Sequence, residues 1–256
     1  MPRRPPRHDE NAGGSAALLA AKAALRQEVW QAMRDAGVAR FPGAQGRIPN
    51  FTGAEAAAER LRETDVWRSA RAIKANPDAA QWPVRQRALA DGKLVYMAVP
   101  RLAERDPFFV LDPEQLADSV RAASSIKGAF RSARRVAVSE VGRVDLVVCG
   151  CVAAGVDGAR LGKGGGFADL EFALAAEAGL VGPQTPVITT VHELQVRDAA
   201  KIPVAEHDVG LDLIVTPDRT LRCQRGDRPV AGIRWSKLTE GKIAAIPLLA
   251  ELYRDR

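Results

Sequence analysis

Short apolar runs alternate along this chain with longer segments of helical periodicity. The clearest apolar run, at 144–149, is typical of a strand buried on both faces of a sheet. The longest helical segment covers 15–36, with Ser15 as its N-cap and Gly37 as its stop. Because strands and helices alternate, the pattern predicts an α/β domain with a mainly parallel sheet covered by helices on both faces.

The other elements continue this alternation. Further helices are predicted over 52–63, 79–91, 113–124 and 169–179, and strands or extended pieces over 93–99, 108–111, 135–139, 186–191, 211–216 and 221–224. The last strand follows a turn at Pro217 and Asp218, and we expect it at an edge of the sheet. The pattern supports one α/β domain over 15–225.

The two ends of the chain differ from this domain. Residues 1–14 alternate prolines with arginines and lack an apolar cluster to bury, which predicts a disordered tail. Residues 226–229 have the composition of a linker, and 238–253 predict a final helix that Pro247 kinks or restarts. We therefore expect a C-terminal helical extension over 226–256, packed back on the domain.

Composition sets the protein class. The 256 residues, 46% of them hydrophobic, are enough for one sizeable core. Three cysteines without a secretory signal favour a reducing cytosol, and the spacing of Cys149 and Cys151 fits a buried strand end better than a structural zinc site. No apolar run approaches the length of a membrane span. These features predict a soluble cytoplasmic protein with no membrane partner.

The formal charge of +6 gathers partly in one stretch, 121–135, which holds five cations. Nucleic-acid binding would need such a patch together with base-stacking aromatic residues or a recognisable module. Aromatic residues make up only 5% of the chain, and no RNA-recognition motif is present. We therefore interpret the stretch as a solvated helix face or as a surface that attracts anionic substrates, and expect no nucleic-acid partner.

A glycine-rich segment at 158–169, Gly-Ala-Arg-Leu-Gly-Lys-Gly-Gly-Gly-Phe-Ala-Asp, lies between the strand at 144–149 and the helix at 169–179. Glycines let successive N–H groups converge on an anion, and the helix N-terminus adds its positive end. Arg160 and Lys163 would supply mobile charge. The segment matches neither the P-loop nor the G-x-G-x-x-G pattern, so a phosphate-binding loop and a plain flexible turn both remain open.

Three further side chains are candidates for a site. Lys22 and Arg26 lie four residues apart on the first helix, where both could reach one polyphosphate or simply face solvent. His192 follows a predicted strand end, beside Glu193, where active sites of open α/β sheets gather. It is a candidate general acid or base, with a structural hydrogen bond as the alternative.

Several ordered blocks resemble the 5-formyltetrahydrofolate cyclo-ligase family, also called methenyltetrahydrofolate synthetase. The segment 160–169, R-L-G-K-G-G-G-F-A-D, resembles the family's R-L-G-x-G-x-G-Y-Y-D, and the pair Lys22 and Arg26 resembles its K-x-x-x-R. Gln195, followed by I-P-V-A-E-H-D at 202–208 and L-D-L-I-V-T at 211–216, resembles its Q, I-P-x-E-x-H-D and L-D-x-I-V-T. The resemblance spans about 17–223 and is closest to the branch of methenyltetrahydrofolate-synthetase-domain-containing proteins.

The resemblance implies a three-layer α/β sandwich and a reaction that uses ATP and Mg²⁺ to convert 5-formyltetrahydrofolate to 5,10-methenyltetrahydrofolate, releasing ADP and phosphate. It implies that Asp169 and Asp208 hold Mg²⁺, although either carboxylate could instead cap a helix or a turn. We place Arg160, Lys163 and His192 in the catalytic group. The residues expected to hold the nucleotide are Lys22, Arg26, Arg160, Leu161, Gly162, Lys163, Gly164, Gly165, Gly166 and Phe167.

The loop departs from the family pattern at the substrate side. Phe167 and Ala168 stand where the family has two tyrosines, so one aromatic wall and one phenol are missing. The acidic residue that the family places on a middle helix also has no secure counterpart, since Gln81 and Trp82 occupy that region. Two alternatives therefore stay open: a related ATP-dependent enzyme acting on a non-folate formamide or amide, and a non-catalytic nucleotide- or folate-binding protein.

Overall fold

The structure is a computed structural model that describes residues 10–224 and 232–256. Its α-helices are α1 (Glu10–Asp35), α2 (Ala54–Arg62), α3 (Asp65–Ser69), α4 (Trp82–Ala90), α5 (Val120–Ala123), α6 (Ile126–Ser132), α7 (Phe167–Glu177), α8 (Glu240–Ala245) and α9 (Pro247–Arg254). Its strands are β1 (Ala39–Arg40), β2 (Asn50–Phe51), β3 (Ala72–Ala75), β4 (Leu94–Ala98), β5 (Phe108–Leu111), β6 (Arg134–Val136), β7 (Leu146–Val148), β8 (Ala153–Gly155), β9 (Arg160–Leu161), β10 (Val187–Thr190), β11 (Val196–Arg197), β12 (Leu213–Val215) and β13 (Thr220–Arg222).

The main sheet has eight strands in the order β13-β12-β10-β7-β3-β4-β5-β6. The five strands from β12 to β4 are parallel, whereas β13 at one edge and β5 and β6 at the other are antiparallel to their neighbours. The chain adds β4 on one side of β3 and then β7, β10 and β12 on the other. The direction of strand addition therefore reverses between β3 and β7, and open α/β sheets bind ligands beyond the carboxyl ends of strands at such a switch point.

Helices cover both faces of this sheet. Side chains of β7 alternate between the two faces: Val147 joins a core cluster with α7, α8 and α9, whereas Leu146 and Val148 join a second cluster with α2, α3 and α4. A third cluster packs Val29, Trp30 and Met33 of α1 against other elements. The three-layer α/β sandwich with a mainly parallel central sheet is confirmed.

The glycine-rich segment does not follow β7 directly, contrary to the sequence expectation. A second sheet intervenes, in which β8 pairs antiparallel with β9 and parallel with β11. Gly158, with φ 87°, closes the β8–β9 turn instead of belonging to the loop. The loop proper is thus 162–166. Left-handed Gly166 is the N-cap of α7, so the helix begins at Phe167 rather than at the expected Asp169.

Several other elements differ from the prediction. Helix α1 begins at Glu10, five residues before the expected cap. The helix expected over 113–124 is present only as α5, because Asp112 accepts the N–H of Glu114 in a turn and Ser119 caps the helix that follows. The predicted restart at Pro247 is correct, since α8 ends at Ala245 and α9 begins at Pro247. Residues 1–9 of the expected tail and the expected linker at 226–229 lie outside the described residues.

None of the helices in the described ranges is both long and apolar enough to cross a membrane. Cys149 and Cys151 are buried, as the strand-end interpretation predicts. Burial raises the pKa of the Cys151 thiol to about 11, and its sulfur lies 3.3 Å from the Thr189 hydroxyl. Both thiols therefore belong to the core.

Candidate functional site

A cavity of about 530 Å³ opens at the switch point between β3 and β7. Its walls come from three places: the turn after β3, the residue Gly150 after β7, and the glycine loop with the start of α7. Arg101, which follows β4, and Arg47, which precedes β2, also line it. The fold thus brings the loop that the sequence singled out to the place where this sheet topology binds ligands.

The backbone requires glycine at two positions of the loop, which are separated by one residue. Gly164 and Gly166 have φ angles of 108° and 62°, in the left-handed region. A Cβ on Gly164 would lie 3.5 Å from the guanidinium carbon of Arg26, and a Cβ on Gly166 would lie 3.0 Å from the Nζ of Lys242. The Gly164 Cβ would make an ordinary contact with Arg26, whereas the missing side chain of Gly166 leaves room for the Lys242 ammonium beside the loop backbone.

Of the two cations of α1, one contacts this loop and the other contacts Asp208. Arg26 Nε donates to the carbonyl of Gly162 at 2.7 Å, and Lys22, only 7% exposed, forms an ion pair with Asp208. Burial lowers the pKa of the Arg26 guanidinium, and the Asp208 carboxylate opposes this shift. The solvated-face alternative is wrong for Lys22, because its ammonium is buried against a predicted metal ligand.

Arg160 is not the mobile charge that the sequence predicted. It is 3% exposed, and its guanidinium donates to the carbonyls of Val209 and Gly150 at 3.2 Å each and to Asp169. Burial alone would lower its pKa, but the Asp169 carboxylate raises it above the usual value. A buried guanidinium must satisfy its donors, so Arg160 joins three segments and adds a fixed positive charge to the cavity wall.

Asp169 and Asp208 both line a smaller cavity of about 150 Å³, and Asp169 also lines the large one. Asp169 Oδ1 accepts from Arg160 and, at 3.0 Å, from the N–H of Val209, so the carboxylate does not cap its own helix. Burial would raise the pKa of Asp169, but Arg160 lowers it below the usual value and keeps the carboxylate charged. Asp208 also accepts the N–H of Ala205 at 2.7 Å, which makes it a turn former as well as the partner of Lys22.

This pair fits a magnesium ion only in part. In residues 10–224 and 232–256, no group of three or more His, Cys, Asp and Glu side chains could hold a metal. Mg²⁺ keeps several waters and is commonly held by one or two carboxylates together with substrate phosphates. The two carboxylates therefore suit an ion that arrives with a polyphosphate.

Lys163 is the more mobile cation of the loop. Its ammonium is 45% exposed and pairs with Asp78 Oδ1 at 2.9 Å. Asp78 lies in the turn after β3, so the ion pair joins the two sides of the large cavity. A surface pair of this kind is weak enough for an anionic ligand to replace Asp78.

A buried polar network connects the segments that line the large cavity, and the sequence did not predict it. Lys74 of β3 pairs with Glu171 of α7, and the two are 2% and 3% exposed. Asn76 donates to Glu171 at 2.7 Å and accepts the N–H of Gly150 at 3.0 Å. The network ties the ends of β3 and β7 to the helix that follows the loop. The charge of Lys74 interrupts the apolar run Ala72–Ala75, which is why the central strand β3 was not predicted.

Arg101 is a second residue that the sequence did not single out. Its backbone has φ 61° and ψ 13°, a left-handed conformation that is costly for a side chain of this size. It lines the large cavity at the end of β4. Strained residues beside cavities are frequent at ligand-binding sites, and the cation here would favour an anionic substrate group.

The structure does not bring His192 to the loop. Its Nδ1 accepts the N–H of Leu194 at 3.2 Å, and its backbone N–H donates to Gln195 at 2.9 Å. Its ring packs edge-on against Phe51. This is the structural alternative, in which the histidine caps the turn after β10. Leu161, expected at the nucleotide, instead has its side chain buried in the core around α1.

Comparison with known proteins agrees with this geometry. The sequence model of the 5-formyltetrahydrofolate cyclo-ligase family matches residues 18–217. The chain belongs to this family. The match ends before β13, so the C-terminal extension lies beyond the family region.

Relatives of the family branch are also similar to this chain. The methenyltetrahydrofolate synthase domain-containing protein of Bos taurus is 38% identical over 234 residues, covering 89% of this chain and 60% of that protein. The protein of the same name from Homo sapiens is 34% identical over 242 residues, covering 92% and 62%. The chain therefore spans about three fifths of the length of these relatives, and the expected family and branch are confirmed.

A solved structure supports the fold. The NMR structure of Aquifex aeolicus 5,10-methenyltetrahydrofolate synthetase aligns with a TM-score of 0.52 and 18% identity, covering 80% of this chain and 94% of that chain. The likeness extends over nearly the whole of the smaller protein. The family fold therefore accounts for most of this chain.

Proposed function

We propose that this protein is an ATP- and Mg²⁺-dependent cyclo-ligase that converts 5-formyltetrahydrofolate to 5,10-methenyltetrahydrofolate, with ADP and phosphate as the other products. The observation that carries the proposal is that Arg26 of α1 contacts the glycine loop at the switch point of the sheet, while Lys22 pairs with Asp208 and Arg160 pairs with Asp169 at a cavity that Gly166 of the loop also lines. Family membership supplies the reaction class.

The reaction needs alignment and charge neutralisation more than a side-chain nucleophile. The formyl oxygen attacks the γ-phosphorus and ADP leaves. A second folate nitrogen then attacks the former formyl carbon and gives up its proton to solvent, and phosphate departs with the former formyl oxygen. No residue of this chain has to become covalently modified, which agrees with the absence of a role for the buried cysteines.

Three cations of α1 and the loop have partners that a polyphosphate can replace. Lys22 pairs with Asp208, Lys163 pairs with Asp78, and Arg26 donates to the carbonyl of Gly162. On binding, the phosphate oxygens take over these donors, and the loop N–H groups and the N-terminus of α7 add to the positive field. Arg160 keeps its position and contributes its charge without moving.

Asp169 and Asp208 are the residues that would hold Mg²⁺, directly or through water. The ion would neutralise charge on the phosphate oxygens during transfer. Release of Asp208 from Lys22 would make one carboxylate available, since the same event that moves the lysine to the phosphate frees its partner. Asp169 keeps Oδ1 on Arg160, so only its other oxygen is offered to a metal.

The formyl-bearing substrate would occupy the large cavity. Phe167 and Ala168 both line it, and Ala168 leaves open the volume that the second tyrosine of the family pattern would fill. This observation favours a second candidate function, in which the same ATP chemistry acts on a non-folate formamide or amide. A non-catalytic binding protein is less favoured, because it would not need the full set of phosphate and metal residues.

Phosphate release from MgATP tests the proposal and separates the two candidates. We expect Mg²⁺-dependent release when 5-formyltetrahydrofolate is added, and release with small formamides but not with the folate if the second candidate is correct. Arg26→Met should abolish most of the release, whereas Arg34→Met, which removes an exposed cation from the same helix, should not. If no substrate of either class stimulates release above the rate without protein, the cyclo-ligase proposal is wrong.

A further inference from the structure

The C-terminal extension places a lysine on the glycine loop. Lys242 lies on α8, beyond residue 217, where the family match ends. Its Nζ donates to the carbonyl of Gly165 at 2.9 Å and lies 5.2 Å from the centre of the Phe167 ring. The sequence predicted only a packing role for this segment.

The helix that carries Lys242 is firmly attached to the domain. Ile243 and Ile246, which follow Lys242 in the chain, are only 8% and 1% exposed. Leu249 of α9 is fully buried, and all three belong to the core cluster that contains residues of α7. Thr239 caps α8 by accepting the N–H of Lys242. The position of the ammonium is therefore set by core packing rather than by a flexible tail.

The charges around the loop are unequally compensated. Lys22, Lys163 and Arg160 each have a carboxylate partner. In the part of the chain that the structure describes, Arg26 and Lys242 instead donate to loop carbonyls and form no ion pair within 4.0 Å. These two cations contact different parts of the loop, Arg26 at the carbonyl of Gly162 and Lys242 at the carbonyl of Gly165.

Packing alone does not explain a lysine at position 242, because partial burial of its ammonium costs free energy. Burial lowers the pKa of its ammonium, with partial opposition from Asp169, so the charged form is destabilised in this position. The Gly165 carbonyl uses one of its three N–H donors. Lys242 also lines the small cavity that Asp169 and Asp208 line.

We propose that Lys242 is a ligand of the bound polyphosphate, so that the C-terminal extension completes an anion site that the family region alone leaves open. The inference rests on the proposed function, because that function supplies the polyphosphate. Arg26 and Lys242 then hold the anion together with the loop N–H groups.

Titration calorimetry of the full chain with MgATP and, separately, with inorganic tripolyphosphate tests this role. A charge-assisted hydrogen bond contributes about 1.5–3 kcal/mol, so Lys242→Met should raise the Kd for either ligand roughly 10-fold to 100-fold. Lys242→Arg should restore most of the affinity. Arg254→Met, which removes an exposed cation from α9, is the matched control and should leave the Kd unchanged.

The outcomes separate this inference from the proposed function. If Lys242→Met binds both ligands as the wild type does while keeping its melting temperature, Lys242 only fastens the extension and the inference is overturned. If the wild type binds tripolyphosphate through Lys242 but does not bind ATP, the inference stands and the proposed function fails. If the wild type binds neither ligand, both are wrong.

Discussion

At the scale of single residues, the pair formed by Arg160 and Asp169 connects the fold of the site to its charge. Arg160 is buried and holds Gly150, Val209 and Asp169 together. Removing the carboxylate would leave a buried guanidinium without a counter-charge, which typically costs about 3–5 kcal/mol. Asp169 is thus a stabilising residue as well as a candidate metal ligand.

Asp169→Asn should therefore destabilise the protein at neutral pH by about 3 kcal/mol. Because the folded-state pKa of Asp169 lies below its unfolded value, the stabilisation is complete above the unfolded pKa and is lost as pH falls through the folded one. Urea unfolding of wild type and variant should show a difference at pH 7 that disappears in acid. An equal difference at both pH values would contradict the charged-pair account.

Ala168 is the residue at which the loop departs most clearly from the family pattern. Ala168→Tyr should restore an aromatic wall in the large cavity and strengthen binding of 5-formyltetrahydrofolate by about 1 kcal/mol. Fluorescence titration of the folate measures this, with Ala178→Tyr, on the exposed end of the same helix, as control. Weaker binding by Ala168→Tyr, with the control unchanged, would argue against a folate in this cavity.

At the scale of elements, the glycine loop depends on backbone conformations that few residues adopt. Gly166 and Gly179 mark the two ends of α7, with φ angles of 62° and 71°. A Cβ on Gly166 would meet Lys242, whereas a Cβ on Gly179 would find nothing within 4 Å. The two positions therefore share a left-handed backbone conformation and differ in the atoms that surround them.

Gly166→Ala and Gly179→Ala should each lose roughly 1–2 kcal/mol of stability, because alanine is strained at these φ angles. Only Gly166→Ala should also weaken MgATP binding, since its Cβ would lie 3.0 Å from the Lys242 Nζ and would shift that ammonium. Thermal unfolding with and without the nucleotide measures both effects. Equal nucleotide-induced shifts in the two variants would show that the loop does not hold the phosphates.

How far the sequence predicts these elements depends on whether local pattern or tertiary contact decides them. Strand β5 and the restart at Pro247 follow from apolar runs and from proline chemistry, and both are correct. Strand β3 was not predicted, because Lys74 interrupts its apolar pattern. The partner that allows this lysine to be buried, Glu171, lies far away in the sequence. The loop motif predicts where anions would bind, but the pairing of Arg160 with Asp169 and the approach of Lys242 depend on long-range packing.

At the scale of the whole molecule, the order of the parallel strands determines where the site lies. The reversal between β3 and β7 opens the crevice. The buried contact of Asn76 with Glu171 of α7 connects its two sides. Helices α1 and α8 bring cations to it from opposite ends of the chain. Substrate and polyphosphate would then meet at the loop, where Asp169 lines both cavities and Asp208 lines the smaller one.

The central claim is that the protein joins ATP cleavage to ring closure, and transfer of the formyl oxygen tests it most directly. With 5-formyltetrahydrofolate labelled by heavy oxygen in the formyl group, turnover with MgATP should release phosphate that carries the label, in equal amount to the 5,10-methenyltetrahydrofolate formed. Mass spectrometry of the phosphate gives the answer. Unlabelled phosphate, released without the methenyl product, would show simple ATP hydrolysis and contradict the account.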